Sequence, residues 1–420
     1  MERIVNDSIC SYLSNSSLIS PCQHGFRRGR STTSNLLESV TDWSLNLDHQ
    51  RSTDAIYFDF RKAFDSVSHT KLLLKLRAYG LSGPLLNWLL SFLSNRSQFV
   101  SIGGAASELS AVTSGVPQGT VLGPTWFLIF INDICDTSEG LDILYKLFAD
   151  DLKIYALCDG HCHSPTLASA LLRIEDWCTT WQLPLALDKC ITIHFGKRSN
   201  QAVTPSSLNY YLFLSPIASS RCVKDLGVLI DDQLKFDAQV ASVVNKALTR
   251  SRLIFRCFSS RNKSLLLKAY ITYVRPLLEY CNVVWSPRVG YLSDKVERVQ
   301  RFFTKRIPGC WYLPYSSRLS LLGLQTLESR RSISDHVICY KIVHGIYDSP
   351  ITRLFHRKPS LRTRGHDLRL QELAFNKDIA KYSFPHRTIR LWNSLPDDTV
   401  HAPSTASFIH RVSNLPFTNL

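Results

Sequence analysis

What this chain lacks narrows it first. Its longest apolar runs, such as "WFLIFI" at Trp126–Ile131, fall far short of the ~20 residues that cross a bilayer. No charged-then-apolar leader opens the sequence, so secretion and membrane insertion are not indicated. The expected setting is intracellular, nucleus or cytoplasm, with no membrane partner. The 12 cysteines follow no repeating spacing. Their one dense spot, "CDGHCHS" at Cys158–Ser164, has no second Cys/His pair at a distance suited to a four-ligand zinc site, so reduced thiols are expected. There is no compact His/carboxylate motif to activate water for hydrolysis, and no internal repeat or low-complexity tract.

What is present is a large apolar fraction and an uneven charge. The 420 residues are 45% hydrophobic and 11% aromatic, enough for a sizeable core and more than one domain. Net charge is +15, divided as −3 over residues 1–240 and +18 over 241–420. A near-neutral first half with clustered acids points to a reaction site. A basic second half points to a polyanion-binding surface, against the plainer alternative of charge kept for solubility.

Local periodicity supplies the elements. In "STTSNLLESVTDWSLNL", Leu36, Leu37, Val40, Trp43 and Leu47 fall on one helical face behind serine and threonine caps. "TDAIYFDF" alternates Ile56, Phe58 and Phe60 against Tyr57 and Asp59, which is a strand. "SHTKLLLKLRAYGL" reads as a helix from near Ser68 to Gly80, and "TWFLIFINDI" as an apolar helix after a Gly-Pro start. "VKDLGVLIDDQLKF" is a strand pair, and residues 238–280 are helical and basic. "RSNQAVTPSS", after Lys197, is a polar loop. Strands interleaved with helices, with acids on separate strands, give an α+β fold whose sheet is covered on one face by helices.

The sharpest feature is "YKLFADDLKIYA", where Asp150 and Asp151 stand side by side between two alternating runs. At an effective dielectric near 20, unit charges 4 Å apart repel by roughly 4 kcal/mol, and a divalent cation would turn that cost into attraction. Alone, such a hairpin tip is an ordinary turn. Asp59, in "YFDFRKAFDSVSH", offers a third carboxylate, which two-metal phosphoryl transfer requires. Asp65, six residues on, reads as holding the turn. "SGVPQGTVLGP" at Ser114–Pro124 adds a tight Gly/Pro backbone beside a helix start, a weak signal by itself.

In order and wording these stretches, from "QHGFRRGRSTTSNLL" to "RTIRLWNSLPDDTV", resemble the reverse transcriptases of non-long-terminal-repeat (LINE-type) retrotransposons. The resemblance implies a right-hand polymerase with a palm sheet and an RNA-directed DNA polymerase activity. Its partners would be an RNA template, a DNA primer and dNTPs, and its cofactors two Mg²⁺ ions, with Mn²⁺ as a substitute. It implies Asp59, Asp150 and Asp151 as metal-binding catalytic residues, with the Phe60 carbonyl beside them. Phe64 would exclude a ribose 2′-hydroxyl, Gln118 and Gly119 would line the nucleotide and template base, and Lys189 would lie by the triphosphate. "VKDLGVLID" matches the primer grip. Arg27, Arg28, Arg30, Lys246 and Arg250 would contact nucleic acid. The implied divisions are 1–54, partial fingers; 55–234, palm with interleaved fingers and primer grip; 235–287, thumb; and 288–420, a basic helical region.

Two departures stand out. The family usually has asparagine three residues before the motif lysine; here Ala186 precedes Lys189. The family's fingers strand with an Arg-Pro pair, expected upstream of "ERIV", is absent from this sequence, as is an apurinic-type endonuclease domain. The expectation is a truncated polymerase that binds a primed template and extends it poorly. The rival reading is a catalytically impaired remnant that binds nucleic acid.

Overall fold

Period-two alternation does build a sheet. In the computed structural model, which describes residues 1–158, 164–196, 210–260, 262–347, 349–358 and 365–415, Ser52–Phe58 is the middle strand of five. Across the sheet the order is Ala218–Ser219, Ile191–Phe195, Ser52–Phe58, Asp151–Cys158 and Leu144–Phe148. All pairs are antiparallel except that of Ala218–Ser219 with Ile191–Phe195. The middle strand is buried on both faces at Thr53–Ile56, beyond what one-sided alternation implies.

The chain divides into two compact units: residues 1–35 with 51–221, and residues 36–50 with 222–420. In the first, the sheet packs against the apolar helix Gly123–Ile131, whose Trp126, Phe127, Ile129, Phe130 and Ile131 are all fully buried. Each such side chain contributes about 1.5–3 kcal/mol on burial. An all-round apolar helix has to be interior, and Pro124 within its first turn costs no hydrogen bond. The helix is shorter than "TWFLIFINDI" suggests, because from Asn132 the chain tightens into a 3₁₀ run to Ser138. Beneath it Lys75 is buried among the rings of Phe130, Trp177 and Trp181, 3.8–4.9 Å from their centroids, and pairs with Asp133 at 2.5 Å. Burial pulls the Lys75 ammonium down to about 8, against the opposite pull of Asp133.

The second unit is helical. Its strand pair Cys222–Asp225 and Val228–Asp231 turns through Leu226 and Gly227, both at positive φ, as a two-residue hairpin requires. The carboxylate of Asp231 then accepts the backbone N–H groups of Gln233, Lys235 and Phe236 and leads into the helix Asp237–Cys257. The helix Thr32–Asp48 differs from a one-faced amphipathic element: Glu38, Ser39, Thr41, Ser44 and Asp48 are buried along with its leucines. The acids are not stranded. Glu38 accepts from the Ser349 hydroxyl at 2.5 Å, and Asp48 from the backbone N–H groups of Asn376 and Lys377 at 2.9 and 2.6 Å. Among the described residues no helix is long and apolar enough to cross a membrane.

Candidate active site

The acids converge through strand register. Phe58 pairs with Leu152, so one further step sets Asp59, just past its strand, across from Asp151. Phe148 pairs with Asp151 and closes a two-residue turn of Ala149 and Asp150. Asp59 and Asp150 are half-buried and Asp151 is exposed. Burial, and then the charge of Asp59, pushes the Asp150 carboxyl above its ordinary value. That pairing of like charges is what a bound cation would relieve, and three oxygen donors suit a hard divalent ion.

The turn is held from behind by a residue the sequence reading passed over. Gln23 is 2% exposed, and its amide oxygen accepts from the Ala149 N–H at 3.0 Å and from the Gly25 N–H at 2.7 Å. Its amide nitrogen donates to the Ala149 carbonyl at 3.4 Å. The His24 N–H and the Asn35 amide both donate to the Leu147 carbonyl. Gly25 has to be glycine, because a Cβ there would lie 2.3 Å from the Ala149 nitrogen. The clamp lets Ala149 adopt φ +56°, which a non-glycine residue rarely does. The sequence signal was present in "QHG", directly before the basic cluster.

A second backbone pairing brings Lys189 in. The Ala186 N–H donates to the Asp59 carbonyl at 2.7 Å and the Arg61 N–H to the Pro184 carbonyl at 2.8 Å. These bonds come from the neighbours of Phe60, leaving its own carbonyl out of the pair with Leu185. The short 3₁₀ turn Leu187–Lys189 then places the Lys189 ammonium 3.3 Å from Asp59, with both side chains open to solvent. Phe64 is half-buried, its ring stacked on Phe127 at 4.2 Å and edge-on to Phe26 at 6.5 Å. Asp65 does hold a turn: it accepts from the Gln118 amide at 2.7 Å, and its backbone abuts Gly115. Gly119, at φ +82°, has open space around it.

The basic residues are scattered in their settings. Arg27 is half-buried and donates to the Ser20 carbonyl at 2.7 Å, Arg28 is exposed, and Arg30 is half-buried. Lys246 and Arg250 are exposed along the helix Asp237–Cys257.

Among the described residues, two sets of three possible ligand atoms lie within 4.8 Å of one another, and neither is Asp59, Asp150 and Asp151: they are Asp54, Cys158 and His194, and the exposed Asp367, Asp397 and His401. The first lies at the other end of the middle strand, about 16 Å from Asp59 at strand rise. Both Asp54 oxygens are already engaged, one by His194 and one by the Tyr210 hydroxyl, each at 2.7 Å. Burial and the Asp54 charge push that phenol up. His161, Cys162 and His163 of the "CDGHCHS" stretch lie outside the described residues, as does the "RSNQAVTPSS" loop.

Residues 1–230 match the family model described as reverse transcriptase (RNA-dependent DNA polymerase). This chain belongs to that family. Among mobile-element relatives, this reverse transcriptase-family chain is 26% identical over 319 residues to the probable RNA-directed DNA polymerase from transposon X-element of Drosophila melanogaster. That match covers 74% of this chain and 34% of the relative. It is 27% identical over 326 residues to the RNA-directed DNA polymerase from mobile element jockey of the same species, covering 74% and 35%. The family member in hand thus spans about a third of the length of the curated relatives it matches. Among solved structures, apo telomerase from Candida tropicalis aligns with a TM-score of 0.43 and 10% identity, over 76% of this chain and 53% of that one.

Proposed function

We infer that this chain carries the polymerising core of a mobile-element reverse transcriptase, extending a DNA primer on an RNA template with dNTPs. The observation that carries the reading is the register that gathers Asp59, Asp150 and Asp151 at one strand end, with Lys189 on Asp59. Asp59, Asp150 and Asp151 would hold two Mg²⁺ ions, with Mn²⁺ as an alternative. Such ions lower the pKa of the attacking primer 3′-hydroxyl and offset charge on the phosphoryl group in flight.

The chain's own residues do the rest. Gln23 fixes the turn that carries Asp150. Lys189 supplies a mobile positive charge, suited to the triphosphate and to protonating departing pyrophosphate. Phe64, braced by Phe127, presents bulk where a 2′-hydroxyl would enter. Gln118, tied to Asp65, and Gly119 form a firm floor for the nucleotide and the template base. The Cys222–Asp231 hairpin is the primer grip, residues 235–287 the thumb, 55–234 the palm with interleaved fingers, 1–54 part of the fingers, and 288–420 a basic appendage.

The test is Mg²⁺-dependent extension of a primed RNA template by the purified chain, with Asp150→Asn beside it. The variant should lose at least about a thousandfold in rate. Template binding should hold, and the melting temperature should not fall. Retained Mg²⁺-dependent synthesis by Asp150→Asn would overturn the reading.

A further inference from the structure

Within the second unit, the helix Gly290–Lys305 and the loop after it present an unusual surface. Leu292, Val296, Val299 and Phe303 face inward, fully buried. Lys295, Arg298, Arg301 and Lys305 are exposed on the opposite side, within an arc of roughly 120° at 100° per residue. From Gly290 to Tyr312 there are five cations against two acids. One of those acids, Glu297, is buried and bonded to Tyr315 and the Leu327 N–H. The other, Asp294, partly offsets Arg301 from 3.7 Å. Two of the cations are steadied by rings one turn away, Lys295 over Tyr291 at 5.0 Å and Arg306 over Phe302 at 3.6 Å.

The loop then displays two aromatic rings. Trp311 and Tyr312 are 70% and 63% exposed, edge-on to each other at 5.5 Å, whereas the other seven tryptophans are buried or half-buried. Their exposure does not come from a loose segment. Ile307 and Cys310 anchor the loop in the core, the Cys310 N–H donates to the Ile307 carbonyl at 3.0 Å, and Pro308 and Pro314 flank it. Gly309, at φ +78°, makes the turn. A rigid loop that holds two large rings in water forgoes their burial, which calls for a ligand.

We propose that Trp311 and Tyr312, with the Lys295–Lys305 face, form a platform for single-stranded nucleic acid. Bases stack on the rings while phosphates follow the cations. Charge complementarity selects this occupant over an apolar protein partner, because the rings follow directly on a helix whose exposed face carries Lys295, Arg298, Arg301 and Lys305, cations that a hydrophobic interface would leave unpaired. The proposal does not rest on polymerase activity by this chain.

The experiment measures binding of a short labelled oligouridylate to the full chain across a salt series. Trp311→Ala/Tyr312→Ala should weaken it about tenfold or more with the salt slope unchanged, since stacking is lost and no phosphate contact is. Arg298→Gln/Arg301→Gln should flatten the slope by roughly 0.7 per contact removed. Trp311→Phe/Tyr312→Phe should bind within a few fold of the parent. Inorganic polyphosphate, which has no bases, should bind the aromatic variant as it binds the parent. Unchanged oligouridylate affinity in the aromatic variant overturns the proposal, as does an equal loss toward polyphosphate. Ring-dependent binding to phosphatidylserine vesicles without ring-dependent binding to oligouridylate overturns it too. Primer extension at saturating template should be unaltered by the aromatic substitutions. A fall matching the binding loss would place the rings in the polymerising site and overturn a separate platform.

Discussion

The two units place their charged groups in different settings. Around the sheet, charge is concentrated and held against its preference: burial, and then the nearby Asp59 charge, raise the cost of ionising Asp150, and Lys75 is stripped of water among three rings. In the helical unit a set of cations lies along exposed faces where water screens them, as at Lys246, Arg250 and Lys295–Lys305, while Arg318 and Arg331 are buried and hydrogen-bonded. On the proposed function, the first arrangement would bind small, hard ions at one point. The second suits a long polyanion held loosely at many points. The difference teaches that net charge locates function poorly until burial is known.

If the sheet unit works through precise placement, its largest sensitivity outside the acids should be at Gln23. Gln23→Ala leaves the Ala149 and Gly25 N–H groups without their acceptor, costing about 1–3 kcal/mol for each group left buried and unpaired. Extension should fall about 10–100-fold, as for residues that orient metal ligands, with a raised Mg²⁺ requirement and little change in template affinity. A variant that melts lower yet extends with an unaltered Mg²⁺ requirement would make Gln23 a fold residue only.

The helical unit should show the converse. In Lys246→Gln/Arg250→Gln, log affinity for a primed template against log salt should flatten by about 0.7–0.9 per lost contact. The rate at saturating template should stay the same. Full-length variants are the right instrument, since residues 36–50 belong with the second unit and a cut near residue 240 would strip them of their partners. A fall in saturated rate without a change in slope would erase the contrast between the units.

How much of this could be read from the sequence follows the same divide. The strand at Ser52–Phe58, the turn carrying Asp150, and the helices at Thr32–Asp48 and His69–Ala78 all announce themselves through local period and caps. What stayed hidden depends on partners far along the chain. Gln23 reaches Ala149 across 126 positions, and Asp48 reaches Asn376 across 328. Asp54, His194 and Tyr210 meet only because two strands and a following segment are in register. A buried polar residue breaks the apolar pattern that marks a core. It therefore looks exposed until its partner is known.

The smallest effect is also the most direct test of strained charge. In metal-free solution the Asp150 carboxyl, raised by burial and by Asp59, holds its proton more tightly folded than unfolded. Over the window from the ordinary value of 3.8 to the raised one, the folded state therefore binds more protons, and stability falls as pH rises. Asp150→Asn removes that loss, so it should melt above the parent in EDTA at neutral pH, and the gap should close as pH drops toward 3.8. Adding Mg²⁺ should raise the melting temperature of the parent more than that of the variant, because only the parent keeps every carboxylate for the ion. Lys246→Gln/Arg250→Gln, whose charges already face water, should respond to Mg²⁺ as the parent does. A gain in Asp150→Asn that persists undiminished in acid would trace the stabilisation to packing rather than to charge, and with it remove the electrostatic contrast between the two units.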